Sequence, residues 1–299
     1  MSASAEPWTV RRLLEWTTPF FTRKWVDSPR LSAELLLAHV LGVPRIRLYT
    51  GYERVLNEKE LAAYRALVQR AAEHEPIAYL TGKAHFFNLE FEVNRDVLIP
   101  RPDTETLVEN VLQLVRNQAG MEAPRVLELC TGSGCVACAV AHHLRNATVL
   151  ATDISAAAVA VAQRNIKRLG LSARVATALG DLYAALGQAD AQPFNLIVAN
   201  PPYIPTKVIE QLDRSVKDYE PLTALDGGPD GLAVHRRILA GATDRLLPGG
   251  RIYLEIGFDQ GEAAVAAASE HSQIDDVRIL KDAAGHVRVL TARRKPPGA

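Results

Sequence analysis

Between residues 10 and 75 the apolar positions recur every three to four residues: Leu13, Leu14 and Thr17, then Leu31, Leu35, Leu36 and His39, then Leu61, Tyr64, Leu67 and Val68. This spacing predicts a small all-helical domain whose helices each bury one face. Pro19, Asp27-Ser28-Pro29 and Gly42-Val43-Pro44 interrupt the pattern and predict helix stops or starts. Between Pro76 and Pro100 the period shortens: Phe86, Phe87, Leu89, Phe91, Val93, Val97 and Ile99 form a partly alternating run broken by Asn94-Arg95-Asp96. That run predicts a β-hairpin. From Pro124 onward, β-type runs at 125–129, 148–154, 174–179, 194–200 and 251–256 alternate with alanine-rich helical stretches, which implies a parallel sheet covered on both faces. A helix at 261–270 follows, then strands at 277–280 and 286–292, joined too briefly for a crossover and therefore antiparallel. The expected organisation is a helical domain over 1–84, a hairpin linker over 85–100 and an α/β domain over 101–299, with residues 293–299 as a solvated tail.

Composition narrows the function classes. The 299 residues carry 34 Lys+Arg against 34 Asp+Glu, so the net charge of zero disfavours a nucleic-acid substrate, which relies on attraction to phosphates. With 48% hydrophobic residues the chain is long enough to bury a sizeable core. The three cysteines, Cys130, Cys135 and Cys138, lie within nine residues, which suits a reducing cytoplasm better than a disulfide framework. The first eight residues lack the basic and apolar regions of an export signal, and no stretch approaches about 20 uninterrupted apolar residues, so neither export nor membrane association is expected.

Two motifs carry chemistry. Glu128-Leu129-Cys130-Thr131-Gly132-Ser133-Gly134 follows the first strand of the sheet and opens a helix. Its glycines allow close backbone approach to a ligand, and the helix start offers free N–H groups. Asp153 ends the next strand, where an acid grips ribose hydroxyls. Alone, this pattern fits either an adenosine-type cofactor or a tight strand-to-helix turn. The second motif, Asn200-Pro201-Pro202-Tyr203, ends the fourth strand and so faces the same crevice. Its prolines remove two N–H donors, and its carboxamide and carbonyls suit a planar NH2 group against which Tyr203 can stack. A proline turn capped by Asn is the plainer alternative. Other candidates read blandly. Cys130, Cys135 and Cys138 lack the fourth ligand of an iron–sulfur cluster, and His142-His143 sits at a helix C-terminus, so no metal is expected. The 226–231 loop lacks the distal Glu of a calcium site and reads as a turn near the site's mouth, and Arg236-Arg237 as a solvated face.

In order along the chain, Cys130 to Gly134, Asp153, Gly180-Asp181-Leu182 and Asn200 to Tyr203 resemble the motifs of class I methyltransferases that use S-adenosylmethionine to methylate planar nitrogens. Three further segments resemble the release-factor glutamine methyltransferase family: Glu75-Pro76-Ile77-Ala78-Tyr79-Leu80-Thr81-Gly82, Leu98-Ile99-Pro100-Arg101-Pro102-Asp103-Thr104-Glu105 and Tyr219-Glu220-Pro221-Leu222-Thr223-Ala224-Leu225. The resemblance spans nearly the whole chain and implies a Rossmann-like α/β fold with a seven-stranded sheet, one strand antiparallel. It implies methyl transfer from S-adenosylmethionine, leaving S-adenosylhomocysteine, to the side-chain amide nitrogen of the glutamine in the Gly-Gly-Gln motif of class I peptide chain release factors. Carried over by position, Cys130, Thr131, Gly132, Ser133 and Gly134 would wrap the methionine part, Asp153 would bind ribose, and Asp181 and Leu182 would edge the adenine. Asn200 and the Pro201 carbonyl would accept from the glutamine NH2, Pro202 would line the pocket and Tyr203 would pack on the amide. The 102–105 segment would buttress that pocket, and the helical domain would recognise the release factor. Many members have Asp and Gly where this chain has Glu128 and Cys130, and a cysteine makes a positive φ costly there. The competing expectations are glutamine methylation of a large-subunit ribosomal protein, N6-adenine methylation of nucleic acid, and a non-catalytic cofactor-binding adaptor.

Overall fold

The computed structural model describes residues 6–187 and 192–296. The chain divides into two compact units, residues 1–83 with 213–219, and residues 84–212 with 220–299.

The first unit is helical: α1 (Val10–Arg23), α2 (Pro29–Leu41), α3 (Ile46–Thr50), α4 (Glu58–Ala72) and α5 (Ile77–Thr81), with α9 (Arg214–Lys217) contributed from later in the chain. Its core gathers Leu14, Phe21, Leu36, Leu37, Leu48, Tyr64 and Val68. Pro29 opens α2 and Gly42, at φ 64°, closes it, as the local signals dictate. Asn57 and Glu60 form a reciprocal capping box at the start of α4. Pro19 does not end a helix; it lies inside α1. The N–H it lacks would have bonded the carbonyl of Glu15, and both residues lie on the exposed face, so the lost bond falls on the solvent side while the buried stripe Val10, Leu13, Leu14, Thr17 and Phe21 runs on unbroken.

The second unit holds a two-stranded hairpin, β1 (Lys83–Phe86) and β2 (Leu89–Glu92), and the main sheet. The hairpin turns at Phe87-Asn88, both at positive φ (49° and 60°), so its strands lie earlier than the alternating run suggested, and Asn94 to Asp96 form a separate turn. After α6 (Glu105–Asn117) the sheet is built from β3 (Arg125–Leu129), β4 (Thr148–Asp153), β5 (Val175–Leu179), β6 (Phe194–Ala199), β7 (Leu246–Glu255), β8 (Ile274–Lys281) and β9 (Val287–Arg294). The helices between them are α7 (Cys135–His143), α8 (Ala156–Arg168), α10 (Ala233–Arg245) and α11 (Gly261–Ser269). Strand order is β5-β4-β3-β6-β7-β9-β8, parallel except that β9 runs against both its neighbours. Two hydrophobic layers cover the faces, one around Val126, Val140 and Val198, the other around Leu127, Ile197, Ile252 and Leu290. Arg293 and Arg294 belong to β9 rather than to a tail, and Arg293 pairs with Asp275 at 2.9 Å. Among the described residues no helix is long and apolar enough to cross a membrane.

The order reverses at β3, whose successor β4 lies on one side and β6 on the other. Leu129 is paired with Thr152 of β4 and Ala199 of β6, so Cys130, Asp153 and Asn200 all emerge at one edge of the sheet. Ligands of open α/β sheets bind outside such a reversal.

Candidate active site

A cleft of about 410 Å3 opens at that edge. Of the residues singled out from the sequence, Cys130, Thr131, Gly132, Ser133, Asp153, Asp181, Leu182, Asn200 and Pro202 line it. Gly134, Pro201 and Tyr203 are not among its walls.

The loop after β3 is held from beneath. Glu128 is fully buried, accepts from Thr131 Oγ1 at 2.5 Å and from the Ala137 N–H at 3.2 Å, and burial pushes its carboxyl up to about 8. Cys130 takes φ 59°, the left-handed conformation a cysteine was expected to avoid. The turn demands it, because the next N–H, that of Thr131, bonds the Thr152 carbonyl at 2.9 Å. A side chain on Gly132 would meet no protein atom within 4 Å, so its absence leaves cleft space beside exposed backbone. Gly134 has a different reason: a Cβ there would lie 3.1 Å from that of Ala162, so it lets α7 and α8 approach. Ser133 Oγ is buried at the cleft with no hydrogen-bond partner, while its carbonyl accepts from Asn165 Nδ2 at 2.9 Å.

Asp153 accepts from the Gly132 N–H at 2.8 Å through one oxygen and from the Ser155 N–H at 2.9 Å through the other, and burial raises its pKa. Each oxygen keeps a lone pair for a further donor. Asp181 pairs with Arg237 at 2.7 Å; Arg237 therefore borders the cleft instead of merely facing solvent, and its neighbour Arg236 pairs with Asp230 at 2.5 Å.

Asn200 donates its Nδ2 to Thr104 Oγ1 at 3.0 Å, and no described residue donates to its Oδ1. Behind it, the 226–231 loop packs on the tetrapeptide: a Cβ on Gly227 would sit 2.8 Å from the Pro202 carbonyl oxygen, and one on Gly231 2.2 Å from that of Tyr203. Gln260 Nε2 donates to the same Tyr203 carbonyl at 2.8 Å. The Tyr203 side chain is half-buried. The 98–105 segment forms another wall, held where the Arg101 guanidinium and the Ile99 N–H both reach the buried Glu220 carboxylate.

Sequence reasoning missed Thr104 as the partner of Asn200, although it marked the segment around it as a buttress. It also missed Asn165, a fully buried polar residue on α8 that bonds both backbone groups of Glu92 (2.7 and 2.9 Å) as well as Ser133. Its available signal was one Asn on the apolar face of an alanine-rich helix.

Comparison with known proteins agrees with this geometry. Residues 12–82 match the PrmC N-terminal domain and residues 103–213 the methyltransferase small domain. The chain is 42% identical over 293 residues to a release factor glutamine methyltransferase of Geobacter sulfurreducens, covering 98% of this chain and 99% of that one. It is 39% identical over 289 residues to the protein of that name in Rhodopirellula baltica, covering 96% and 97%. In fold it resembles a Pyrococcus furiosus methyltransferase (TM-score 0.50, 20% identity, 78% of this chain and 98% of that one). It also resembles a Thermus thermophilus 16S rRNA N2 G1207 methyltransferase solved with AdoMet and guanosine (TM-score 0.50, 20% identity, 71% and 50%). With 39% and 42% identity over nearly the full length of two release factor glutamine methyltransferases and a matching PrmC N-terminal domain, the chain belongs to the release factor glutamine methyltransferase family.

Proposed function

We propose that this enzyme transfers the methyl of S-adenosylmethionine to the side-chain amide nitrogen of the glutamine in the Gly-Gly-Gln motif of class I peptide release factors, in the cytoplasm. The observation that carries the reading is the orientation of Asn200: its NH2 is committed to Thr104, which leaves a carbonyl oxygen to accept from an incoming NH2 group. An amide nitrogen has its lone pair delocalised, so its reactivity depends on having both N–H groups held and the nitrogen aimed.

The cleft fits the cofactor. The open space over Gly132 and the orphaned Ser133 hydroxyl suit the amino-acid part, the spare lone pairs of Asp153 suit ribose hydroxyls, and Leu182 with the Asp181–Arg237 pair borders a place for a flat base. When bound, S-adenosylmethionine supplies a methyl already activated by its sulfonium. The protein's part is then to orient and to exclude water. Cys130 to Ser133 would hold the donor, with Gly134 closing the loop behind them; Asn200 Oδ1 and the Pro201 carbonyl would accept from the substrate amide, and Pro202 would wall it, with Tyr203 next to it outside the cleft lining. No strong base is required, because methylation makes the nitrogen acidic enough to lose its proton to water. The helical unit is assigned the body of the release factor.

The test is to incubate the protein with S-adenosylmethionine and a bacterial class I release factor and to locate any added methyl by peptide mass spectrometry. A methyl on the Gly-Gly-Gln glutamine, lost in Asn200→Ala while cofactor affinity falls only modestly, is the expected result. A methyl found only on a ribosomal-protein glutamine or on adenine would replace this substrate with that one.

A further inference from the structure

Thr104, the partner of Asn200, sits in a short 3-10 turn, Pro102–Thr104, that leads directly into α6. Its N–H bonds the Arg101 carbonyl at 3.2 Å. The hydrogen bonds of so tight a turn are weakly aligned, so the position of Thr104 has to be fixed from outside. The chain before the turn is tied to Glu220 through Arg101 and the Ile99 N–H, and the chain after it through Glu105, which accepts from the Phe87 N–H at 2.8 Å. The tie at the turn itself is Asp103, which forms an ion pair with Arg288 of β9 at 3.0 Å.

Arg288 is itself held firmly. Its carbonyl accepts from the Ile256 N–H at 2.8 Å, just past the end of β7. Its Nε donates to Asp282 Oδ2 at 2.9 Å, and Asp282 Oδ1 accepts from the N–H groups of Ala284 and His286, each at 2.9 Å, so the β8–β9 turn sets that carboxylate. The Arg288 and Asp282 side chains are 18% and 14% exposed, against 46% for Asp103. A guanidinium is planar and rigid, so seating one nitrogen on Asp282 aims another at Asp103. The hairpin is already satisfied by the Asp282 contacts. The second pair adds nothing the hairpin needs, and it falls on the residue beside Thr104.

We propose that Arg288 is a positioning residue for the reaction: anchored on the β8–β9 turn, it holds Asp103 and with it the 102–104 turn, so that Thr104 meets Asn200 in the orientation that presents the carboxamide oxygen to the substrate amide. The inference rests on the proposed glutamine methylation. Arg288 is not among the cleft walls and is assigned no contact with substrate or cofactor.

The experiment compares wild type, Asp103→Asn, Arg288→Met and the Asp103→Asn/Arg288→Met double variant on the intact release factor, at low and at high salt. Measured quantities are kcat, KM, S-adenosylhomocysteine affinity and melting temperature, with amide hydrogen exchange at Thr104 in the S-adenosylhomocysteine complex. Expected for Asp103→Asn at low salt is a kcat about fivefold lower, the upper end for an ion pair with one partner half open to solvent, with KM and cofactor affinity within about twofold and little change in melting temperature. The gap should narrow at high salt, which screens the pair in wild type and finds no pair in the variant. Arg288→Met should lose at least as much kcat, and the double variant no more than the slower single one, because both changes break one tie. Exchange at the Thr104 N–H should quicken in each variant. A wild-type kcat in Asp103→Asn, a gap indifferent to salt, or additive losses in the double variant would overturn the proposal. If Arg288→Met strands the Asp282 carboxylate and does not fold, Asp103→Asn, which leaves the Arg288–Asp282 pair in place, decides through its kcat and salt dependence. A wild-type enzyme that leaves the release factor unmethylated would refute the underlying substrate assignment; quickened Thr104 exchange in Asp103→Asn would then still support the tie, and unchanged exchange would overturn it.

Discussion

Glu128 is a carboxylic acid held where carboxylates are costly, and its environment makes stability depend on pH. Its ordinary value of 4.5 rises to about 8 through burial, so the folded chain keeps a proton that the unfolded chain releases. Stability from this group is therefore greatest below about pH 4.5 and falls as pH rises to about 8, by about 1.4 kcal/mol per unit. Glu255, raised to about 7, acts in the same sense. Glu128→Gln keeps an acceptor for Thr131 and has no proton to lose, so its melting temperature should draw ahead of wild type steadily between about pH 5 and pH 8. A gap that does not change with pH would show that Glu128 is ionised in the folded protein throughout. Cys130 illustrates what residue-level reasoning misjudges. A left-handed cysteine costs about 1–2 kcal/mol, but the turn is imposed by the Thr131–Thr152 hydrogen bond, which no inspection of residue 130 alone would reveal.

At the scale of elements, the cleft depends on pieces that lie outside it. Asn165 ties α8 to the end of β2 and to the Ser133 carbonyl. Asn165→Ala leaves those backbone groups buried and unpaired, so a loss of about 2–4 kcal/mol is expected in denaturant unfolding, together with weaker cofactor binding. Unchanged cofactor affinity at reduced stability would confine Asn165 to packing. Gly231 acts at the Asn200–Tyr203 turn. Its φ of 79° and the 2.2 Å approach of a Cβ to the Tyr203 carbonyl mean that Gly231→Ala must displace the tetrapeptide. Turnover should fall at least tenfold while S-adenosylhomocysteine binding stays within about twofold, as measured by calorimetry. Most elements were legible because strand and helix periods are local: the 125–129 strand is found where its apolar run lies. Pro19 was misread because whether a proline ends a helix depends on which face meets solvent, and that is settled by packing.

For the whole molecule, the reversal of strand order at β3 brings the ends of β3, β4 and β6 to one edge, where the cleft gathers residues from well-separated stretches of chain. A ligand that binds only the folded sheet adds stability by mass action, about 2.7 kcal/mol at a hundred times its dissociation constant. S-adenosylhomocysteine at that excess should raise the melting temperature, and Asp153→Ala should lose most of the rise at the same concentration, measured by scanning calorimetry. The sequence by itself determined the alternation of strands and helices, the chain positions of the glycine loop, Asp153 and Asn200 to Tyr203, and the family they resemble. Those features are written in contiguous residues, where backbone period, glycine and proline act over a few positions. Only the tertiary structure decided that Asn200 is bonded to Thr104, 96 positions away, that the Arg101 guanidinium reaches Glu220, and that Asn165 braces the loop after β3. Such pairings follow from which strand ends abut and which helix faces meet, and these are set by packing the whole sheet, not by any local run of residues.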